Sequence, residues 1–462
     1  MVLIKSISGI RGTIGGEPGE NLTPQDVVTF TAAFGSWIKS RSNQDKIAMV
    51  VGRDARVSGV MVENLVVSTL TGLGVDVILL GLATTPTVEM AVIEKQAQGG
   101  IIITASHNPA EWNALKLLNH LGEFISAENG EEVLKVASDG SFKYASYDKT
   151  GSIIPDTEFI QTHIQKIIDL ELVDRERIQR SHYKVVVDGI NSVGGVAVPA
   201  LLKNLGVDDI VEINCRPDGL FSHNPEPIPE NLTALSRAVT ENSAHLGFAV
   251  DPDVDRLVIV CEDGSMFGEE YTLVSVADYI LQYTKGNTVS NLSSTRALKD
   301  ITERHGNEYF TAAVGEVNVV HRMKEVDAVI GGEGNGGIIY PALHYGRDAL
   351  VGIALFLSQL ARTGKTCSEL RKLYPDYTIL KTKVELKSQS DFSELLQQVK
   401  KRFSEHKLNE EDGIRIEDEN GWLHIRKSNT EPIVRIIAES NSTDLADKMI
   451  KKVMDLIKPF TS

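Results

Sequence analysis

Cysteine is scarce in this chain, with only Cys215, Cys261 and Cys367 among 462 residues. The three are far apart, odd in number and free of any CxxC pair. That argues against a disulfide framework or a cysteine zinc site and fits a reducing cytoplasm. Positive charge is short as well. Lys and Arg number 47 against 63 Asp and Glu, a net charge of −16. Nucleic-acid binding leaves a basic footprint, so no nucleic-acid partner is expected, while a small anion held by a local positive site is compatible. No apolar run approaches the ~20 residues that span a bilayer. The opening MVLIKSISGIRG lacks the apolar segment of a signal peptide. No membrane partner is expected, and the predicted location is cytoplasmic.

What is present is an alternation of strand-like and helical runs, too long for one core. Lys46–Gly52, Val75–Leu80 and Gly100–Thr104 read as strands, with helices over Val60–Leu73 and Val88–Gln98. The rhythm repeats from Tyr183–Asp188 through helix Gly194–Leu205 to strand Asp209–Ile213. A third round is expected to start at His245–Val250 and to run through strands Thr288–Leu292, Glu308–Val314 and Ala328–Ile330 to helix Asp348–Thr363. Such patterns argue for α/β domains with mixed, mostly parallel sheets. The tail differs. Gly413–Glu417 and Trp422–Lys427 flank the turn Glu419-Asn420-Gly421, strand Ile433–Ala438 follows, and helix Thr443–Ile457 closes a smaller α+β domain. The expected domains are 1–155, 156–254, 255–372 and 373–462, with no Pro/Gly-rich linker to mark the seams.

Four motifs carry chemistry. Asp251-Pro-Asp-Val-Asp-Arg256 follows a strand, and alternate positions of an extended segment share one side, so Asp251, Asp253 and Asp255 converge. Three hard oxygen ligands without His or Cys suit Mg²⁺, and three close carboxylates repel one another without a cation. An EF-hand is excluded, because Arg256 stands at its turn glycine and an apolar strand follows. Gly331-Gly-Glu-Gly-Asn-Gly-Gly337 contains a GxGxxG match, but no helix begins there, which disfavours dinucleotide binding. It reads either as a flexible loop presenting Glu333 and Asn335 to sugar hydroxyls or as a plain glycine turn. Arg426-Lys-Ser-Asn-Thr-Glu-Pro-Ile-Val-Arg435 reads either as a phosphate cradle or as an ordinary turn. Gly99–Asn113, GGIIITASHNPAEWN, ends a strand at Ser106 and His107 without the GxSxG elbow of a hydrolase. A phosphorylated Ser106 would be repelled by the aspartates unless Mg²⁺ lay between them. Arginines in the glycine-flanked Ser8–Gly12 and Gly52–Gly59 segments fit either a structural or a binding role.

With TASHNP, DPDVDR, GEGNGG and RKSNTEP in this order, the chain resembles the α-D-phosphohexomutase family over its whole length, most of all archaeal-type phosphoglucosamine mutases. The resemblance implies four domains, heart-shaped around a central cleft. It implies that phospho-Ser106 passes its phosphoryl group to a hexose monophosphate, giving a bound 1,6-bisphosphate that reorients and returns the other phosphate. By that likeness Ser106, Asp251, Asp253 and Asp255 hold Mg²⁺. Arg11, His107, Lys116 and Arg256 line the reacting centre, with His107 and Lys116 as candidate general bases. Glu333 and Asn335 read the sugar. Arg426, Ser428, Asn429, Thr430 and Arg435 hold the second phosphate. Glucose 1,6-bisphosphate or the cognate hexosamine bisphosphate is the implied activator, and the chain would be a monomer or homodimer. Two departures stand out: Gly337 replaces a frequent histidine of the sugar loop, and Asn113-Ala-Leu-Lys116 replaces Asn-Gly-x-Lys. The preferred sugar is glucosamine, from Asn335. A dual phosphomannomutase/phosphoglucomutase, a phosphatase and a non-catalytic sugar-phosphate-binding protein are the competing expectations.

Overall fold

A computed structural model describes residues 3–6, 9–44, 46–386, 391–427 and 433–460. The chain divides into two compact units, Met1–Thr272 with Gly336–Leu370, and Leu273–Asn335 with Arg371–Ser462.

The first unit contains a seven-stranded sheet. Its order is Leu3–Ser6, Gly9–Thr13, Trp112–Leu118, Gly99–Ile103, Ala48–Arg53, Asp76–Leu82, Ile153–Pro155. The last four strands run parallel and the first three are antiparallel additions. Strand periodicity sorts its side chains between two cores. Met49, Val51, Ile101 and Ile103 meet Phe30, Phe34, Val66 and Leu70 of helices Pro24–Arg41 and Gly59–Gly72. Val50 and Ile102, one residue out of phase, meet Val88 and Val92 of helix Thr85–Glu94.

The same unit holds a second sheet, ordered Leu257–Cys261, Leu246–Val250, Lys184–Asp188, Asp209–Ile213. This corrects the expected third round. Leu246–Val250 is parallel to Lys184–Asp188 and antiparallel to Leu257–Cys261. The seam expected between 254 and 255 therefore falls inside a hairpin, whose turn is the aspartate motif. Helix Ala349–Thr363, buried from Ala349 to Leu360, packs on helices Phe159–Ile168, Arg175–Arg180 and Gly194–Asn204. Its Phe356 meets Phe248 and Phe267 edge to face.

In the second unit, parallel strands Tyr309–Ala312, Asn287–Asn291 and Ala328–Glu333 lie side by side. Helices Ala297–Arg304 and Glu316–Glu325 flank them. An antiparallel sheet follows, ordered Thr378–Glu385, Ile433–Ser440, Gly421–Lys427, Ile414–Asp418, Lys407–Asn409, with helices Asp391–Arg402 and Thr443–Ile457 over one core. Among the described residues no helix is long and apolar enough to cross a membrane.

Candidate active site

Ser106 follows strand Gly99–Ile103 in a left-handed conformation, φ 48°. That region is unfavourable for a residue with a Cβ, at roughly 1–2 kcal/mol, and persists only where surroundings impose it. Arg56 is the imposing group. Its side chain is wholly buried. Its Nε donates to Asp54, while Nη1 donates to the carbonyls of Pro109 and Trp112 and Nη2 to those of Ser106 and Asn108, at 2.5–3.1 Å. Four of the five guanidinium N–H groups are thus spent on carbonyls of the Ser106 loop and the fifth on Asp54. Thr104 adds a bond from its hydroxyl to Asp54 and accepts the Ser106 N–H. Of the two roles open to the Gly52–Gly59 arginines, Arg56 takes the structural one.

The aspartate hairpin turn meets this loop. Ser106 Oγ donates to Asp251 Oδ2 at 2.7 Å and lies 3.3 Å from His107 Nδ1. Ligand atoms of Asp251, Asp253 and Asp255 lie within 4.8 Å of one another, and all three side chains are fully buried. Val254 between them has φ 64°, an outlier for a β-branched residue. Asp251 accepts the N–H groups of Asp255 and Arg256. Lys116 Nζ is 2.6 Å from Asp253 Oδ2 and 3.6 Å from Asp255 Oδ2. Thr85 Oγ1 donates to Asp253, and Arg347 Nη2 donates to Asp255, both at 2.7 Å. Lys116 lies on strand Trp112–Leu118, in antiparallel register with Ile102, so the substituted segment before it is strand and not loop.

Electrostatics separates these groups. Burial, then the charges of Asp255 and Asp253, pushes the Asp251 carboxyl well above the usual range. Burial acts the same way on Asp253, but the Lys116 ammonium and its hydrogen bond outweigh it and hold Asp253 low. Lys116 is shifted up, since Asp253 and Asp255 overcome its desolvation. Arg256, burial, Arg11 and Arg347 drive His107 well below an ordinary imidazole. Arg11, on strand Gly9–Thr13, reaches Asn108 at 3.3 Å. Asp253 Oδ1 and Asp255 Oδ1 are buried without a hydrogen-bond partner among the described residues. Two orphaned carboxylate oxygens in an all-oxygen cluster fit a hard divalent cation.

Ser106, His107, Lys116, Arg11, Asp251, Asp253, Asp255 and Arg256 are therefore brought together in the first unit. Thr85 and Arg347 escaped the sequence reading. Arg347 had one available signal, an arginine directly before the cap of an apolar helix at Asp348.

The remaining candidates lie in the second unit. Glu333 ends a strand and is buried, accepting from Asn291 Nδ2 at 2.9 Å and the Gly315 N–H at 3.1 Å. The flexible loop expected there is instead a turn pinned by Glu333 and by Ser294 Oγ, which accepts the Gly334 N–H. Asn335 is half-buried. Strand Gly337–Ile339 follows in the chain, so the GxGxxG match opens no helix. Arg426 and Arg435 stand directly opposite across two antiparallel strands. Like charges in that register repel, and Arg426 is steadied by Asp412 at 3.0 Å. Ser428, Asn429 and Thr430 lie outside the described residues.

Comparison with known proteins finds four consecutive family domains along the chain. Residues 4–143, 161–264 and 268–377 match phosphoglucomutase/phosphomannomutase alpha/beta/alpha domains I, II and III, and residues 381–456 match the C-terminal domain. A phosphoglucomutase/phosphomannomutase of Thermococcus kodakarensis is 35% identical, covering 97% of each chain. A probable phosphoglucosamine mutase of Methanopyrus kandleri is 32% identical over 98% of this chain and 97% of its own. The crystal structure of a phosphoglucomutase/phosphomannomutase family protein from Burkholderia thailandensis superposes with a TM-score of 0.86 at 26% identity, over 99% of this chain and 98% of that one.

Proposed function

The chain belongs to the phosphoglucomutase/phosphomannomutase family, and on that premise we propose that it moves a phosphoryl group between O1 and O6 of a hexose through Ser106. Glucosamine phosphate is the preferred substrate in this reading. The observation that carries the proposal is Ser106 Oγ, held 2.7 Å from Asp251 in a strained loop that Arg56 clamps from behind.

In the forward half-reaction the bond from phosphorus to Ser106 Oγ breaks as one forms to the sugar hydroxyl oxygen. The hydroxyl proton passes to a side chain at the reacting centre; of the two candidates His107, kept neutral by its cationic neighbours, is able to accept it, whereas Lys116 is held as an ammonium on Asp253. The resulting hexose 1,6-bisphosphate turns over, and the reverse step returns its other phosphoryl group to Ser106 Oγ. A bisphosphate supplied from outside primes an unphosphorylated enzyme. Transfer of this kind depends on positioning and charge neutralisation more than on covalent chemistry. Arg11 and Arg256 supply fixed positive charge, and Lys116 orients Asp253. Asp251, Asp253, Asp255 and the Ser106 phosphate would hold Mg²⁺, which adds Lewis-acid neutralisation at the transferring group. Glu333 and Asn335 would read the sugar hydroxyls or amine. Arg426, Ser428, Asn429, Thr430 and Arg435 would hold the phosphate that does not react.

The preference for glucosamine is supported by Asn335 and by the name of the Methanopyrus relative. The Thermococcus relative's name supports the second reading, a dual phosphomannomutase/phosphoglucomutase. A phosphorus NMR time course tests both, with Mg²⁺, a trace of glucose 1,6-bisphosphate and the 1- or 6-phosphates of glucosamine, glucose and mannose. Migration of the signal without free phosphate is expected, fastest for glucosamine. Free phosphate would mean a phosphatase, and no change with any sugar would mean a binding protein. Ser106→Ala should leave the fold intact and abolish turnover.

A further inference from the structure

We propose that His163, His344 and Asp348 form a second, wholly separate metal site, for a divalent transition-metal ion of which Zn²⁺ is the natural occupant. His163 comes from helix Phe159–Ile168, His344 from the segment before helix Ala349–Thr363, and Asp348 is that helix's N-cap. All three are buried, with exposures of 0%, 5% and 0%. One ligand atom from each lies within 4.8 Å of the others. Asp348 Oδ2 is 3.0 Å from His163 Nε2 and 3.5 Å from His344 Nε2. Donors bonded tetrahedrally to zinc at ~2.0–2.1 Å are spaced roughly 3.3 Å apart, so the two measured edges bracket the required one.

The surroundings orient these donors as metal ligands are oriented. Histidine ligands hold their second nitrogen on an outer hydrogen-bonding partner, which selects the nitrogen that faces the ion. Thr87 Oγ1 lies 3.0 Å from His163 Nδ1, and Glu89 Oε2 lies 3.5 Å from His344 Nδ1. Both Nε2 atoms are thereby turned toward Asp348. The other oxygen of Asp348 accepts from Leu350 N and Val351 N, which leaves Oδ2 for the centre. His344 Nε2 is buried and makes no hydrogen bond among the described residues. Two imidazoles and a carboxylate select a transition metal over Mg²⁺. The negative charges of Asp348 and Glu89, costly in a dry interior, would match a doubly positive ion.

The ion would join elements that support the aspartate triad. Helix Thr85–Glu94 carries Thr87 and Glu89 to this cluster and Thr85 to Asp253. Arg347, next to Asp348, reaches Asp255. With every donor buried, loading accompanies folding.

The test uses the full chain, refolded from denaturant with a chelator, then refolded with Co²⁺ in excess Mg²⁺ so that the triad is occupied. One equivalent of Co²⁺ is expected, with the strong d–d absorption of four-coordinate cobalt and no thiolate charge-transfer band. Zn²⁺ should displace it and raise the melting midpoint. His344→Gln should lose that equivalent, and Asp253→Asn should keep it. If His344→Gln does not fold, Glu89→Gln spares all three ligands and should weaken Co²⁺ binding roughly 10–100-fold. No cobalt in the wild-type chain, a thiolate band, or an unchanged spectrum or affinity in the cluster variants would overturn the proposal.

Discussion

Replacing Arg56 by lysine keeps the charge and removes the fork. The guanidinium has five N–H donors on five acceptors, the Asp54 carboxylate and four carbonyls of the Ser106 loop. An ammonium has three. At least two buried acceptors lose their partner, at about 1–3 kcal/mol each, so the loss is on the order of 2–6 kcal/mol. Burial pushes the Asp54 carboxyl up, and the largest opposing influence is the charge of Arg56, which lysine retains. A domain's stability is only about 5–15 kcal/mol, so the variant folds with a much lower denaturation midpoint. Its turnover should fall further than its stability suggests. Ser106 is held at φ 48° by this clamp, and misplacement of a reacting group by about 1 Å costs roughly 100-fold. Chemical denaturation and mutase rate at saturating sugar phosphate measure the two effects. A stable Arg56→Lys protein with wild-type turnover would refute the clamp as the device that positions the serine.

Asp253→Asn removes a carboxylate from the triad and the short partner of Lys116. The Mg²⁺ concentration for half-maximal rate should rise by at least about tenfold, and unchanged metal affinity would refute its assignment as a ligand. Gly336→Ala should destabilise by more than about 1 kcal/mol and reach several, because φ is 83° and the added Cβ would lie 2.2 Å from the Leu257 carbonyl. A melting scan checks this. Burial lowers the His424 imidazole to about 4, with Ser293 on one nitrogen and the Asp412 carbonyl on the other. The unfolded chain binds the proton first, near 6.5, so stability is full above that pH and falls until about 4. The loss is on the order of 3 kcal/mol. Denaturation of the wild type and His424→Gln from pH 7 to 4 should show the steeper decline in the wild type.

The sequence made the parallel layers legible where apolar runs are continuous, as at Gly99–Ile103 and Lys184–Asp188. It did not disclose that Leu246–Val250 would pair with Lys184–Asp188, because period and composition are silent on strand neighbours. Helix Pro24–Arg41 went unread although Thr23 and Asp26 form a capping box with Pro at its first turn. The triad was legible because its ligands are adjacent in the chain. Thr85, Lys116 and Arg347 act on it from residues separated by 31 and 231 positions (116 − 85 and 347 − 116), and only folding brings them together. Glu333 was misplaced in a loop because glycines suggest freedom, whereas close packing uses their missing Cβ, as at Gly331 beside Met323.

The first unit is discontinuous, closing only with Gly336–Leu370. A ribosome that has finished Thr272 must add the 63 residues from 273 to 335 before the first of that segment appears. At ~5–20 residues per second that is a wait of roughly 3–13 s. Throughout it Asp255 has no Arg347, and the faces that helix Ala349–Thr363 will cover are bare. A nascent chain in that interval displays a large apolar surface without the segment that seals it, which is the condition that recruits chaperones. Ser106 and the three aspartates are thus translated early and assembled late, so truncated products of this gene would be insoluble before they could be merely inactive.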